Sequence, residues 1–349
     1  MTDAQAIFPD ALGRLLRRED LPAEVAERAL GAILSGDATD AQIAGFAVAL
    51  RSKGETPAEL AALVRTMLAF ADHVEVADDA SLIDTCGTGG DRSGTVNVST
   101  MAALVAAAAG ARVAKHGNRA QSSNCGSADV LEALGVVIDL GPSGVARCID
   151  EAGIGFCLAP RYHPALRFAA LPRRELGVPT TFNFLGPLAN PAGVRRQSLG
   201  VSDPGMAERV VATLHELGSV HALVYYGHDG LDELTTTAPS TVFELRDGDV
   251  RRFDVDVAAL GLRRVDCDEL KGGDAATNAD IVKRVLAGEP GAVRDIVLLN
   301  SAAALVVAGL TDDLRNGIEL AAAVVDDGRA AATLDGFVRV SGSARLAED

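Results

Sequence analysis

A glycine-rich segment behind an apolar run is the first place where this chain could do chemistry. A short β-like run at residues 82–84 precedes three glycines within 87–91, and a helix-like run begins near Ser99. Glycines let backbone N–H groups approach a phosphate closely, and the first turn of a helix adds donors and a favourable dipole. Asn97, Ser99 and Thr100 offer further donors or a metal-facing hydroxyl. The segment therefore predicts an anion site.

Two common phosphate motifs do not fit this segment. A P-loop requires a Lys after its last glycine, and none follows here. The dinucleotide fingerprint requires a third glycine where this chain has Arg92. A tight structural turn explains the glycines alone equally well, so the neighbouring residues must decide.

A second cluster, of hydrogen-bond donors, follows the next apolar run. It has few acids for its many donors, which are Lys115, His116, Asn118, Arg119, Ser122, Ser123 and Ser127. Lys115 and the serines could bind a second phosphate or a pyrophosphate. A helix is predicted to begin near Ala128, so Ser127 is also a predicted N-cap, and a plain cap is the simpler explanation of Ser127 alone.

A third segment carries acids in a loop after the apolar run 222–226. Asp229, Asp232 and Glu233 stand there, and carboxylates at the C-terminal end of a strand suit Mg²⁺. Two adjacent acids in so acidic a chain would usually be solvated surface. Because a pyrophosphate on glycine loops needs a cation, Asp232 and Glu233 are the best-placed candidates.

Alternating strands and helices are expected to position these segments. From about residue 81 short β-like runs alternate with helices, which predicts an α/β domain with a largely parallel sheet. The predicted strands are 82–84, 112–115, 136–140, 154–158, 198–202 and 222–226, followed by a hairpin of 242–245 and 250–253 that turns at Asp247-Gly248. The Ala-rich stretch 278–340 is predicted to be helical.

The first seventy or so residues have the pattern of a small helical unit. Thr39 with Gln42 and Thr56 with Glu59 form predicted capping boxes. Apolar residues between 60 and 68 recur at helical spacing and are expected to face inward.

Composition limits the class of protein. The 349 residues are 48% hydrophobic but only 4% aromatic, with no Trp, so Ala, Val, Leu and Ile must fill the core. A formal charge of -16 argues against a nucleic-acid binder, which needs a surplus of Lys and Arg. Five cysteines without a CxxC pair fit reduced thiols in a cytosol. No leader or membrane-length apolar run is visible, so a soluble cytoplasmic protein is expected.

Six motifs together resemble one enzyme family. GTGGD, NVST, KHGNR, SSNCGSADVLEALG, RRELGVPTTFNFLGPLANP and GLDELTT occur in this order. Over residues 6–340 the chain resembles anthranilate phosphoribosyltransferases, which catalyse the second step of tryptophan synthesis. The resemblance implies Mg²⁺-dependent reaction of phosphoribosyl pyrophosphate with anthranilate, giving N-(5-phosphoribosyl)anthranilate and pyrophosphate.

The resemblance also implies an architecture. We expect the nucleoside phosphorylase/phosphoribosyltransferase type of fold, with a small all-α N-terminal domain of residues 1–78, joined by helices from about 164–192. A larger α/β domain with a mainly parallel sheet would span residues 79–349, and two copies would form a homodimer through the helical domain.

The same resemblance assigns residues to three subsites. The donor site would comprise Gly87, Gly90, Asp91, Thr95, Asn97, Val98, Ser99, Thr100, Lys115, Ser122, Ser123 and Ser127. Anthranilate would contact Gly87, Asn118 and Arg173, and the metal would be held by Ser99, Asp232 and Glu233.

Arg173 has a physical reason to serve the acceptor, because a guanidinium grips a carboxylate with two hydrogen bonds. Without the resemblance, a solvent-facing arginine on a helix would be the simpler explanation. Pro172, just before it, is expected to bend or end that helix.

The implied reaction needs no protein nucleophile, since pyrophosphate leaves and the amine attacks the opposite face of the ribose. His116 could move a proton, but a hydrogen-bonding or packing role explains it as well.

Two other functions remain open from the sequence. A pyrimidine nucleoside phosphorylase has a similar architecture, but that family has KHSGR in place of KHGNR and lacks LGPLANP. A non-catalytic nucleic-acid-binding relative should be basic and should have altered donor motifs, whereas this chain is acidic and retains those motifs.

Overall fold

A small bundle of helices opens the chain. The computed structural model describes residues 3–91, 93–120 and 124–348. Its first four helices are α1 (Asp3–Leu16), α2 (Ala23–Leu34), α3 (Asp40–Lys53) and α4 (Pro57–Ala69). Both predicted capping boxes are present, with Thr39 starting α3 and Thr56 starting α4. Each box satisfies backbone groups that a helix end leaves unpaired.

A seven-stranded sheet forms the body of the described chain. Its strands are β1 (Leu82–Gly87), β2 (Arg112–Gly117), β3 (Ile154–Leu158), β4 (Arg196–Gly200), β5 (His221–Gly227), β6 (Ser240–Arg246) and β7 (Asp249–Val255). They lie in the order β3-β2-β1-β4-β5-β6-β7. The first five are parallel and the hairpin of β6 and β7 is antiparallel, as the sequence predicts.

Helices cover both faces of the sheet. They are α5 (Val98–Ala108), α6 (Ser127–Ala133), α7 (Pro142–Ala152), α8 (Ala159–Tyr162), α9 (Arg167–Leu176), α10 (Phe182–Leu188), α11 (Pro204–Glu216), α12 (Ala275–Leu286), α13 (Ala292–Ala308), α14 (Leu314–Asp326) and α15 (Arg329–Glu348). The Ala-rich C-terminal part is therefore helical, as expected. Helix α9 continues through Pro172 and ends at Gly177, so the proline does not end it.

The predicted strand at 136–140 is wrong. Val136, Ile138 and Leu140 are buried, but no strand pairs with this extended segment in the described chain. The Val137 N–H donates to Ser341 Oγ on α15 instead. Alternating burial identifies an extended segment with one buried side, and it does not reveal whether the backbone finds a neighbouring strand.

Two apolar cores hold the molecule together. One lies between the sheet and the helices α5, α7 and α12 to α15. The other combines α1 to α4 with α9, α10, α11 and the opposite side of β4 and β5. The N-terminal helices thus pack with the helices around residues 167–188, and the division of the chain near residue 78 stays a prediction. In the described part of the chain, no helix is long and apolar enough to cross a membrane.

The order of the strands explains where a ligand site should form. Chain connections run from β1 outward to β3 and then return to β4 on the other side of β1. Open α/β sheets bind ligands beyond the carboxyl ends of their strands at such a switch point. Gly87 and Gly200 are register partners at the ends of β1 and β4.

Candidate active site

A cleft of about 360 Å³ lies at this switch point. It brings together most of the predicted site residues, although they come from distant parts of the sequence. Those that line it are Gly87, Gly90, Asp91, Thr95, Asn97, Val98, Ser99, His116, Asn118, Ser127, Arg173, Asp232 and Glu233. Ser122 and Ser123 lie outside the described residues.

The glycine loop and Asp232 fit closely against each other. Gly89 donates its backbone N–H to Asp232 Oδ2 at 2.7 Å. A Cβ on Gly87 would clash with the same carboxylate, and a Cβ on Gly200 would clash with the backbone carbonyl of Asp232. Gly89 and Gly90 have positive φ angles of 68° and 84°. Glycine is therefore required here both for the turn and for the approach of the acidic loop.

The two adjacent acids after β5, Asp232 and Glu233, have strongly raised pKa values. Burial, together with repulsion from Asp91, raises the pKa of Asp232 to about 7. Burial and then the charge of Asp232 raise the pKa of Glu233 well above its usual range. Glu233 Oε1 accepts the Ser99 N–H at 3.1 Å. Glu233 Oε2 is buried and has no hydrogen-bond partner among the described residues.

This set of oxygen atoms fits a hard cation. A bound cation would lower the pKa of both carboxyls, and it would give Glu233 Oε2, which has no hydrogen-bond partner among the described residues, an ion to coordinate. Within residues 3–91, 93–120 and 124–348 no group of three His, Cys, Asp or Glu side chains forms a metal cage. Mg²⁺ needs no such cage, because it usually takes one or two carboxylates and completes its shell with water and substrate phosphates. Asp229 instead accepts a hydrogen bond from Thr235 Oγ1 at 2.7 Å and holds the loop.

Two of the predicted donor residues lie behind the cleft surface. Lys115 is 1% exposed, and its Nζ donates to the Thr85 carbonyl and to Ser99 Oγ, the latter at 3.4 Å. Thr100 is equally buried, and its Oγ1 has no partner in the described chain. In this arrangement Lys115 supports Ser99, and its direct contact with a phosphate stays a prediction.

Ser127 does not cap helix α6. Gly126 is the N-cap and Ser127 is the first helical residue, so the predicted cap is wrong by one position. Asp129 Oδ2 accepts the N–H groups of Ala120 and Gly126 and closes the loop against the helix. Because that carboxylate satisfies the loop backbone, the Ser127 hydroxyl is not needed as a cap.

Arg119, which belongs to the same donor cluster, pairs with two acids of helix α6. It contacts Asp129 at 3.1 Å and Glu132 at 2.8 Å. Asn118 accepts the Arg119 N–H through its side-chain oxygen. Asp129 and Glu132, which neutralise Arg119, come after Ser127 in the sequence. The cluster from Lys115 to Ser127 is therefore less basic in the folded protein than its own residues indicate.

One wall of the cleft, formed by Arg173, Phe182 and Asn183, is called the acceptor wall below. The Arg173 guanidinium lies over the Phe182 ring, 5.5 Å from its centroid. Among the described residues no carboxylate pairs with Arg173, and its partial burial lowers its pKa. A half-buried cation without a counter-ion is suited to an anionic ligand, and it is not the solvent-facing arginine of the simpler explanation.

His116 is neutral in this site. Its Nδ1 lies 3.0 Å from the Gly186 carbonyl and must donate to it, because a carbonyl only accepts. Its Nε2 is buried and has no partner in the described part of the chain. Burial, then the nearby His163, lowers the pKa of His116 to about 3. The ring can therefore accept a hydrogen bond but does not carry a proton charge near neutral pH.

Sequence reasoning missed several residues of the site. Phe182 supports Arg173, and Asn183 lines the same wall. Gly89 was one of the three loop glycines, but its role in holding Asp232 through its N–H was not foreseen. Ser202 also bonds the glycine loop, through the Gly89 carbonyl at 2.8 Å. Residues 180–191 belong to one of the six motifs, and that membership is the sequence signal that could have pointed to Phe182 and Asn183.

Comparison with known proteins decides the family. Residues 79–331 match the α/β domain of a glycosyl transferase family, and residues 9–71 match its helical bundle domain. An anthranilate phosphoribosyltransferase of a Nocardioides species is 54% identical, covering 95% of this chain and 98% of that protein. The chain belongs to the anthranilate phosphoribosyltransferase family.

Solved structures of this family agree with the fold. The enzyme from Thermus thermophilus is 41% identical and superposes with a TM-score of 0.90, covering 95% of this chain and 99% of its own. The enzyme from Saccharomyces cerevisiae in complex with PRPP and Mg is 28% identical, with a TM-score of 0.89 and coverage of 97% and 98%. Neither alternative function is favoured by these relatives of the family.

Proposed function

We propose that this protein transfers the 5-phosphoribosyl group from phosphoribosyl pyrophosphate to the amine of anthranilate. The products are N-(5-phosphoribosyl)anthranilate and pyrophosphate, in the second step of tryptophan synthesis from chorismate. The observation that carries the proposal is one cleft with two different sides. A glycine loop lies beside the half-buried Asp232 and the buried Glu233 on one side, and on the other Arg173, which has no carboxylate partner among the described residues, lies over an aromatic ring.

The donor side supplies charge stabilisation. The glycine loop 87–91 and the start of α5 line the side of the cleft that would receive the phosphates, and Ser99, Asp232 and Glu233 would hold Mg²⁺. The Gly89 and Ser99 N–H groups hold Asp232 and Glu233 in place for this role. The metal, when bound, neutralises the leaving pyrophosphate. Asp91, Thr95, Asn97 and Val98 complete this side of the cleft. Positive charge develops on the ribose as pyrophosphate leaves, so stabilising the departing pyrophosphate favours the reaction.

The acceptor side supplies orientation. Arg173 grips the anthranilate carboxylate, and Asn118 and Gly87 contact the acceptor where the two sides meet. His116 is neutral, so it contributes shape and a hydrogen-bond acceptor, and the aromatic amine attacks without a strong base. Holding both substrates in line converts an encounter of two molecules into a reaction within one complex.

We also propose a cytoplasmic homodimer. Leu16 on α1 is 79% exposed and Val48 on α3 is 44% exposed, so neighbouring helices of the N-terminal bundle present apolar side chains. In the described chain the cysteines form no disulfide, which suits a reducing compartment.

The experiment that tests the function follows anthranilate fluorescence while phosphoribosyl pyrophosphate and Mg²⁺ are added. Loss of the signal only when both are present supports the proposal, and no change refutes it. The double variant Asp232→Ala, Glu233→Ala should lose most of the Mg²⁺-dependent rate, because both carboxylate ligands are gone. Phosphorolysis of thymidine without use of anthranilate would instead favour a nucleoside phosphorylase.

A further inference from the structure

A buried hydrogen bond joins the acceptor wall to the N-terminal helices. Thr181 Oγ1 donates to Glu55 Oε1 at 2.6 Å, and both residues are 2% exposed. Thr181 stands directly before helix α10, where a threonine hydroxyl ordinarily caps the helix. Here it makes no capping hydrogen bond, so the hydroxyl serves Glu55 instead.

The other oxygen of Glu55 is held from two directions. Arg51 on α3 approaches Oε2 to 3.2 Å, and Arg209 on α11 approaches it to 3.7 Å. Arg51 also pairs with Asp203, the N-cap of α11. Glu55 therefore sits as a paired carboxylate between the N-terminal bundle and the α/β body, and its position does not depend on Thr181 alone.

Thr181 continues directly into the acceptor wall. Phe182 is the next residue and carries the ring beneath the Arg173 guanidinium. Asn183 is anchored on the same turn, because its Oδ1 accepts the Thr180 N–H at 3.0 Å. A shift of the Thr181 backbone would thus move the ring that supports Arg173 and the amide beside it.

We infer that Glu55, through its hydrogen bond with Thr181, is a positioning residue for the aromatic acceptor. Glu55 does not line the cleft, and its hydrogen bond and ion pairs reach no residue of the glycine loop. Through Thr181 its effect is directed to the acceptor. Its other link, through Arg51 to Asp203 beside Ser202, stays in place when only Thr181 is changed. The inference rests on the proposed function, because the acceptor site is defined by that reaction.

The chain offers a matched pair of variants for a test. Thr180 and Thr181 are adjacent and both buried, but Thr180 Oγ1 has no hydrogen-bond partner among the described residues. Val replaces the hydroxyl of either residue with a methyl group of similar size. Thr181→Val leaves a buried carboxylate oxygen without its donor, whereas Thr180→Val removes an unsatisfied group.

Steady-state kinetics with each substrate varied in turn should separate the two variants. We expect Thr181→Val to raise the KM for anthranilate about tenfold, while the KM for phosphoribosyl pyrophosphate and kcat change less than about twofold. Thr180→Val should leave all three constants unchanged. Thr181→Ser, which keeps the hydroxyl, should restore the KM for anthranilate. A general structural defect would not act on one substrate alone.

A second variant covers the case in which Thr181→Val does not fold. Glu55→Gln keeps an oxygen to accept from Thr181 but loses the charge, so a smaller rise confined to the KM for anthranilate is expected. Equal behaviour of Thr181→Val and Thr180→Val in an active parent, or an equal rise in both KM values, would overturn the inference alone. An unsubstituted chain that does not use anthranilate would overturn the proposed function as well.

Discussion

Single residues of the acidic loop show how burial prepares a cation site. Asp232 and Glu233 lie inside the cleft wall, and both have raised pKa values because water no longer stabilises their charge. Among the described residues neither forms a salt bridge, and the charge of the buried Lys115 lowers the pKa of Glu233 without cancelling the rise that burial causes. A bound cation is thus the group that would complete their electrostatics.

This arrangement predicts a pH-dependent stability of the metal-free protein. A carboxyl whose pKa is raised to about 7 favours the folded state while it is protonated, and this stabilisation is lost as pH rises through about 7. The slope cannot exceed about 1.4 kcal/mol per pH unit for one group. The stabilisation is complete below the unfolded pKa of about 4 and declines until about pH 7. We therefore expect the free energy of urea unfolding of the parent, measured with a chelator, to fall relative to that of Asp232→Asn as the pH rises from about 4 to about 7, and the difference to level off above about pH 7.

The control for this prediction is Asp232→Asn, which should reduce the slope, while Glu233 continues to contribute in the same direction. His116 and His163 have lowered pKa values and act with the opposite sign, but below about pH 6.5. An equal slope in the variant and the parent would show that Asp232 does not carry the effect.

At the scale of elements, the ends of β1 and β4 leave no room for side chains. Gly200 is the last residue of β4, and a Cβ there would clash with the backbone carbonyl of Asp232. Backbone cannot rotate away as a flexible side chain can, so the acidic loop would have to move. The strand end and the loop are therefore built as one unit.

The Gly200→Ala variant should show whether the end of β4 has room for a side chain. We expect a loss of roughly 1–3 kcal/mol in unfolding free energy and of most of the transferase rate. Gly336→Ala is the control, because a Cβ at that helical position meets nothing within 4 Å. Denaturant unfolding and the fluorescence assay measure both quantities, and a Gly200→Ala protein with parental stability and rate would contradict the argument.

At the scale of the whole molecule, the N-terminal helices share an apolar core with the sheet and also expose apolar side chains. Residues of α1 to α4 pack with α11 and with β4 and β5 in one cluster. Leu16 and Val48 are left exposed on the bundle. The bundle thus supports the α/β body through its buried residues and offers its exposed ones to a second copy.

Val48→Glu should weaken the proposed dimer, because a charge would be buried in an apolar contact. Sedimentation velocity at micromolar concentration is expected to show a shift toward monomer. Leu346→Glu on α15 is the matched control, since Leu346 is 81% exposed and far from the bundle in sequence. A dimer that persists equally in both variants would place the interface elsewhere.

Local signals in the sequence determined much of this molecule. The capping boxes of Thr39 and Thr56, the strand pattern of 112–115 and 222–226 and the DG hairpin depend on neighbouring residues only, so they were readable in advance. The ordered motifs determined the family. The strand prediction for 136–140 was wrong because alternating apolar residues indicate only that one side of the segment is buried. A hydrogen bond from Val137 to Ser341 on α15 takes the place of a neighbouring strand.

Tertiary structure alone decided which of the candidate residues share a site and what state they are in. Contacts such as Gly89 to Asp232, 143 positions apart, depend on strand order, which no local pattern encodes. Lys115 is a candidate phosphate ligand by type, and only the fold showed that its Nζ lies behind the cleft surface beside Ser99 Oγ. Residue type sets what a side chain can do, and burial and neighbours set its charge and its partner, which is why Glu55 and Thr181 were invisible until the fold joined them.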